Sequence, residues 1–272
     1  MNREPVVANQ FYPGNPTLLK NMILSFFEDK NIPDIKENVH ALIVPHAGYT
    51  YSGKTAAYAF KQIQNKQYDS VIIIGPSHSA VFDGISVYPE GKFKTPLGNI
   101  EIDKNLTDKI ISFDSRIIDA TDPHLEEHSI EVMLPFLQVT LDNFKIVPIC
   151  MGSYDFSTCN ILADAIFNAI GNTKKVLIIA SSDFYHGHNY EECKKSTTES
   201  AKLIASNNIE EFYNHFYQNS AACGGAPIVT TMLVEKKLQN NKTTLLNLTN
   251  SGDITGVKTG YVVGYASFAI TK

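Results

Sequence analysis

Three short apolar runs in this sequence each lead, within a few residues, to a histidine. Ala41-Leu42-Ile43-Val44 is followed by Pro45-His46-Ala47-Gly48-Tyr49, and Val71-Ile72-Ile73-Ile74 by Gly75-Pro76-Ser77-His78-Ser79. Val176-Leu177-Ile178-Ile179-Ala180 is followed by Ser181-Ser182-Asp183-Phe184-Tyr185-His186. Imidazole titrates near neutrality and is a preferred ligand for zinc, iron and copper, so histidines that meet in one cleft offer a metal centre or an acid/base catalyst. A single histidine after a strand is ordinarily a hydrogen-bonded structural residue. Three at equivalent positions point instead to one shared site containing His46, His78 and His186, with Asp183 beside them. Asp183 also has a plainer reading, since Ser-Asp after a strand often caps the following helix.

Cys223 sits in Ala222-Cys223-Gly224-Gly225-Ala226-Pro227, just ahead of a helical run from Ile228 to Leu238. A helix N-terminus lowers a thiol pKa and flanking glycines admit close backbone approach, which makes Cys223 the metal or nucleophile candidate among the cysteines. Cys150, Cys159 and Cys193 fall in an apolar strand, at the start of a helix and on a charged helix, and read as structural thiols. The block His124-Leu125-Glu126-Glu127-His128 formally fits the H-x-x-E-H zinc-protease pattern. No downstream glutamate motif supplies a third ligand, so Glu127 and His128 are expected to line a pocket or cap a helix.

The elements that must position these side chains follow from pattern. His40–Val44, Ser70–Ile74, Phe144–Cys150 and Lys175–Ala180 are continuous and apolar, as in a buried parallel sheet, while Thr243–Leu248 and Tyr261–Ile270 look like closing strands. Helical spacing places Leu18, Leu19, Met22, Ile23, Phe26 and Phe27 on one helix, with Asn15 as N-cap and Pro16 in the first turn. Ser52 is expected to cap a helix carrying Ala56, Ala59, Phe60 and Ile63. Leu162 to Ile170 marks another helix, stopping near Gly171. Between Gly84 and Ile102, β-prone pieces broken by Pro89-Glu90-Gly91 and Thr95-Pro96-Leu97-Gly98 predict inserted hairpins. The fold class is therefore α/β, a mostly parallel central sheet flanked by helices, read as one domain over 1–272. In such sheets ligands bind beyond the carboxyl ends of the strands, where His46, His78 and Asp183 fall.

Composition narrows the function. The 272 residues carry a net charge of -5 without a dense Lys/Arg block, which argues against nucleic acid as a partner. No stretch approaches the roughly 18 apolar residues of a membrane span, and the start lacks a basic segment followed by an apolar run, so a cytoplasmic location is expected. Four cysteines without a CxxC pair make no disulfide framework in a chain of this length.

Several ordered blocks, REPVVANQFYPGN, PHAGYTYSG, GPSHS, EEHSIEVMLPFLQ, SSDFYHG, CGGAP and TGYVVGYASFAI, resemble those of the Memo family, known in microbes as AmmeMemoRadiSam system protein B. That family's fold is similar to the class III extradiol ring-cleaving dioxygenases, in which two histidines and a carboxylate hold iron(II). The resemblance implies His46 and His78 as metal ligands, with Cys223 standing where the dioxygenases use a carboxylate. Asp183 would ligate or orient the metal, and His186 would act as the acid/base. Tyr185 replaces a cysteine common in the family at that place. A thiolate ligand also suits copper or zinc and is itself oxidisable. Three readings follow: an iron- or copper-dependent oxidoreductase of dioxygenase type, a non-catalytic module binding a metal, small molecule or peptide in the same cleft, and a zinc hydrolase. The family name further implies radical-SAM and AMMECR-like system proteins as partners.

Overall fold

Short β-branched runs cannot leave either face in water, so they form the centre of a sheet covered on both sides. In a computed structural model, which describes residues 2–171, 175–240 and 242–272, Val39–Val44, Val176–Ser181, Ser70–Pro76 and Lys145–Met151 lie side by side in that order, all parallel. Val262–Thr271 joins antiparallel to Val39–Val44, and Lys242–Asn250 pairs antiparallel with it. At the other edge Ile85–Val87 runs antiparallel to Lys145–Met151 and parallel to Ile117–Asp119. The expected α/β fold is thus present, with its parallel strands central and its antiparallel ones at the flanks.

Alternation along each strand divides the core. Ile72, Ile74, Ile178 and Val147 face one layer, which holds Leu162 and Ile166 of the helix Phe156–Ile170 and Val229 of the helix Gly225–Lys237. Val71, Ile73, Leu177 and Ile179 face the other, with Leu19 of the helix Pro16–Phe26, Phe60 of Lys54–Phe60 and Phe136 of Leu134–Thr140. Asn15 caps Pro16–Phe26 as expected, its side chain accepting from Thr17 N and Leu18 N.

The predicted hairpin turns at Pro96-Leu97, with Lys92–Thr95 antiparallel to Gly98–Glu101. A third strand, Asn2–Arg3, lies parallel to Lys92 and Phe93, and places the Arg3 guanidinium over the Phe93 ring at 5.3 Å. The expectation at Ser52 is corrected. The chain leaves Gly48 in a π-helical turn, Tyr49–Gly53, that runs directly into Lys54–Phe60, so the backbone is already wound where a cap would stand. Ser52 Oγ donates to Ala47 O at 2.9 Å instead. Among the described residues no helix is long and apolar enough to cross a membrane.

A buried carboxylic acid lies outside all of this. Glu235, 1% exposed, receives Asn240 Nδ2 on Oε2 at 2.7 Å, while its Oε1 has no hydrogen-bond partner among the described residues. Burial raises its pKa from 4.5 to about 7 despite that bond. The folded state therefore holds a proton that the unfolded chain releases, and stability falls as pH rises from about 4.5 through 7. The loss is on the order of 3 kcal/mol. Urea unfolding at pH 5 and pH 8 should show this decline in the wild type and a shallower one in Glu235→Gln, which stays neutral; parallel declines in the two proteins would contradict it.

Candidate metal centre

The carboxyl ends of three adjacent strands meet at one place. Val39–Val44 delivers His46, its neighbour Val176–Ser181 delivers Ser181 and Asp183, and Ser70–Pro76 delivers His78. Two glycines permit the crowding. A Cβ on Gly75 would lie 2.3 Å from Ser129 Oγ, and one on Gly224 only 2.1 Å from Ser181 O. Gly75 lets the segment Glu127–Ser129 press against the sheet edge, and that segment brings His128 beside the other two histidines.

His46, His78 and His128 each offer a ligand atom, and the three atoms lie within 4.8 Å of one another. The ring centroids of His46 stand 5.0 Å from His78 and 5.5 Å from His128, and those of His78 and His128 are 4.6 Å apart. Three nitrogen donors this close, with His46 buried, His128 partly buried and His78 open to solvent, are a chemically suitable set for a first-row divalent ion. Burial, with the neighbouring imidazoles second, holds the His46 pKa well below its usual range. Burial likewise lowers that of His128. Neutral imidazole is the form that ligates.

Hydrogen bonds fix the His46 and His78 rings from behind. His46 Nδ1 lies 2.7 Å from Ser181 Oγ, and its backbone N–H donates to Asp183 Oδ1 at 2.8 Å. His78 Nδ1 lies 2.9 Å from Glu127 Oε1, which also accepts from Ser129 N at 2.8 Å, while Glu127 Oε2 accepts from His78 N at 2.5 Å. Burial works against the Glu127 carboxylate, yet these bonds and the nearby imidazole outweigh it and bring its pKa down to about 2.

Cys223 Sγ is 3.2 Å from His46 Nε2 and accepts from Asp183 N at 3.3 Å. The thiol stands at the mouth of Gly225–Lys237, but the sequence-based expectation of an acidified cysteine is corrected. Burial, with the charge of Asp183 second, pushes its pKa far above the ordinary thiol value, because the desolvation penalty exceeds what a helix terminus returns. A bound cation would reverse that balance. Asp183 does not cap the next helix, Tyr190–Ala205, whose cap is Asn189. Its carboxyl is spent on the His46 and Ala47 backbone, and burial lifts its pKa to about 7 against those bonds. His186 pairs with Val263 at the sheet edge and faces the same cleft, its pKa lowered by burial.

The cleft beside Asp183 and His186 measures about 490 Å³, with Phe11, Tyr51, Tyr261 and Tyr265 on its walls, while Cys223 lies behind His46 and is not among the described residues that line it. His46, His78, Asp183 and His186, all singled out in the sequence, line it together with His128. Phe11 contacts the His128 ring edge-on at 4.9 Å and is pinned by Tyr49 N donating to its carbonyl at 2.7 Å. Sequence pattern did not reveal Ser181 or Phe11, because a hydroxyl and an aromatic ring carry no spacing signal. The His128 block was visible, but only the folded loop shows that it reaches the other two histidines.

That loop is anchored by charge. Arg3 is buried, forms an ion pair with Glu131, and donates through Nε to His124 O at 3.0 Å and through Nη2 to Glu127 O at 2.5 Å. Glu131 also accepts from Val6 N at 2.9 Å, Val7 N at 3.1 Å and Tyr12 Oη at 2.5 Å.

Residues 3–269, a span that contains every site residue named above, match the family model described as Memo-like protein. The chain is 41% identical to a MEMO1 family protein of Methanosarcina mazei over 275 residues, covering 98% of each. It is 35% identical to a MEMO1 family protein of Thermoplasma volcanium over 273 residues, covering 100% of this chain and 99% of the other. An uncharacterized protein from Escherichia coli K12 superposes with a TM-score of 0.48 at 9% identity, over 84% of this chain and 99% of that one.

Removing one member of a buried ion pair strands the other, at a typical cost of about 3–5 kcal/mol. Arg3→Ala should lower the unfolding free energy by that amount in denaturant titrations. The double variant Arg3→Ala/Glu131→Gln should recover part of it, because no buried charge remains. A loss below about 1 kcal/mol for Arg3→Ala would show that the loop does not depend on this pair.

Proposed function

This chain belongs to the Memo family, and from that premise we propose that it is an iron(II)-dependent oxidoreductase of extradiol-dioxygenase type whose ion is held by His46, His78 and Cys223. The observation that supports this reading is the convergence of His46, His78 and His128 at the carboxyl ends of neighbouring parallel strands, facing a cleft large enough for a small organic molecule. Cys223 joins the donor set through its 3.2 Å approach to His46 Nε2. His128 either completes it or walls the cleft beside it. When bound, iron(II) supplies a redox-active Lewis acid.

The residues of the chain account for the rest. His46 and His78 contribute neutral nitrogen donors, and Asp183 holds the His46 backbone in place through Oδ1. His186, on the wall of the cleft and with a lowered pKa, accepts a proton from a substrate hydroxyl and later returns it. Phe11, Tyr51 and Tyr261 provide flat apolar walls that favour a planar ligand and limit water. Copper fits the same site through the thiolate, and the three-histidine set also matches catalytic zinc, so a zinc hydrolase is the reading that a zinc content would favour. A binding module would share the cleft without turnover.

Protein purified anaerobically and loaded with iron(II) should carry a stoichiometric amount of metal by elemental analysis, and His46→Ala/His78→Ala should carry almost none. Cys223→Ser should weaken affinity more than His128→Ala does; the reverse order would make His128 the third ligand. Oxygen consumption with a phenolic substrate supports the oxidoreductase, and metal binding without turnover across a broad screen favours the binding module. Full metal content in the double histidine variant would refute the site itself.

A further inference from the structure

The hydrogen bonds behind the two strand-end histidines have only one consistent direction. Ser181 Oγ lies 2.7 Å from Ser129 O, a carbonyl that can only accept, so the single hydroxyl proton of Ser181 is directed there. Ser181 Oγ must then accept from His46 Nδ1 at 2.7 Å. Both Glu127 oxygens already accept a backbone N–H, Oε2 from His78 N and Oε1 from Ser129 N, so the carboxyl group is set as an acceptor and His78 Nδ1 donates to Oε1 at 2.9 Å. Both rings therefore carry their proton on Nδ1 and leave Nε2 with a bare lone pair. That is the reverse of the preference of free imidazole side chains in water. The His46 Nε2 left bare is the atom that faces Cys223 Sγ at 3.2 Å.

Both acceptors trace back to one three-residue segment. Glu127 supplies the carboxylate for His78, and Ser129 supplies the carbonyl that fixes the Ser181 hydroxyl for His46. Ser129 N in turn donates to Glu127 Oε1 at 2.8 Å, and Ser129 Oγ donates to Pro76 O at 3.1 Å. His128, the third imidazole, lies between them. We propose that Glu127 and Ser181 are positioning residues that hold His78 and His46 in the Nδ1–H tautomer before any ion arrives, so that the pair is ready for a metal. This inference rests on the metal-binding reading above only for its purpose, because the tautomers are a property of the chain alone.

The carboxylate at position 127 is specific. Its two oxygens receive three N–H groups, from His78 N, His78 Nδ1 and Ser129 N. A glutamine there must turn its NH2 toward at least one of them.

The test uses full-length, metal-free protein labelled with 15N at histidine. Long-range 1H–15N spectra should show His46 and His78, assigned by single substitutions, as Nδ1–H tautomers. Ser181→Ala should move His46 toward the Nε2–H form and leave His78 unchanged, and Glu127→Gln should do the opposite. A general loosening of the fold would disturb both rings, and thermal melts of each variant by circular dichroism monitor folding independently. Cobalt(II) titration followed by visible absorption should show each variant binding about 10- to 100-fold more weakly than wild type. Finding either histidine as Nε2–H in the wild type, or unmoved in its cognate folded variant, overturns the proposal. Nδ1–H tautomers in a wild type that binds no cobalt(II) would support the proposal and sink the metal-binding reading.

Discussion

A carboxylate sealed from water has to find every one of its hydrogen-bond donors within the protein, and at Glu131 those donors are what tie the chain together. It is met by the guanidinium of Arg3, the amides of Val6 and Val7 and the hydroxyl of Tyr12, all from the first twelve residues, while Glu131 itself opens the short helix that follows the histidine loop. Because Arg3 simultaneously receives no proton and gives several, its remaining N–H groups reach the carbonyls of His124 and Glu127. The position of His128, and of the Glu127 carboxylate behind His78, thus depends on a strand of two residues at the N-terminal end of the sequence. Buried ion pairs are weak sources of net stability but strong sources of specificity in some systems, and here the pair acts with the bonds to His78, Pro76 and Ser181 to select one conformation of the loop.

The central strands and helices such as Pro16–Phe26, Phe156–Ile170 and Gly225–Lys237 were legible because their signal is local and repetitive, whereas Lys104–Ile111 and Ile209–Asn219 were not read. Ile72 and Ile74 against Val71 and Ile73 already state a two-faced core, and Asn15-Pro16 states where a helix begins. His46, His78 and Asp183 could be placed at one sheet edge because the carboxyl end of a parallel strand is a position that sequence defines. Ser52 misled because capping propensity says nothing about a π-helical turn arriving from the preceding loop. Cys223 misled in its acidity, though not in its neighbourhood. A helix terminus is visible in sequence, whereas the desolvation that opposes it depends on what packs around the thiol. Ser181 and the Arg3 anchor were invisible for the same reason, since each works through partners about 50 or more positions away.

The charge balance of the assembled site says what it is prepared to receive. Arg3 neutralises Glu131, so that pair contributes structure and almost no field. Glu127, by contrast, keeps its proton off and is met on its oxygens by His78 and Ser129, with His128 Nδ1 at 3.6 Å. Burial holds His46 and His128 neutral, so they do not offset that charge. The site therefore has a carboxylate behind one imidazole, an Asp183 carboxyl whose pKa burial lifts to about 7, and beside His46 a Cys223 thiol whose pKa burial raises further above its ordinary value. Each of those two protons becomes easier to lose when positive charge enters, because a cation a few ångströms away offsets the desolvation that raised the pKa. A dication that displaced the Cys223 proton would leave the site close to neutral with Glu127 counted. An anion or a neutral ligand entering the same space would find no such compensation. The electrostatics thus favour a cation at the histidines and leave the aromatic walls for whatever organic partner accompanies it.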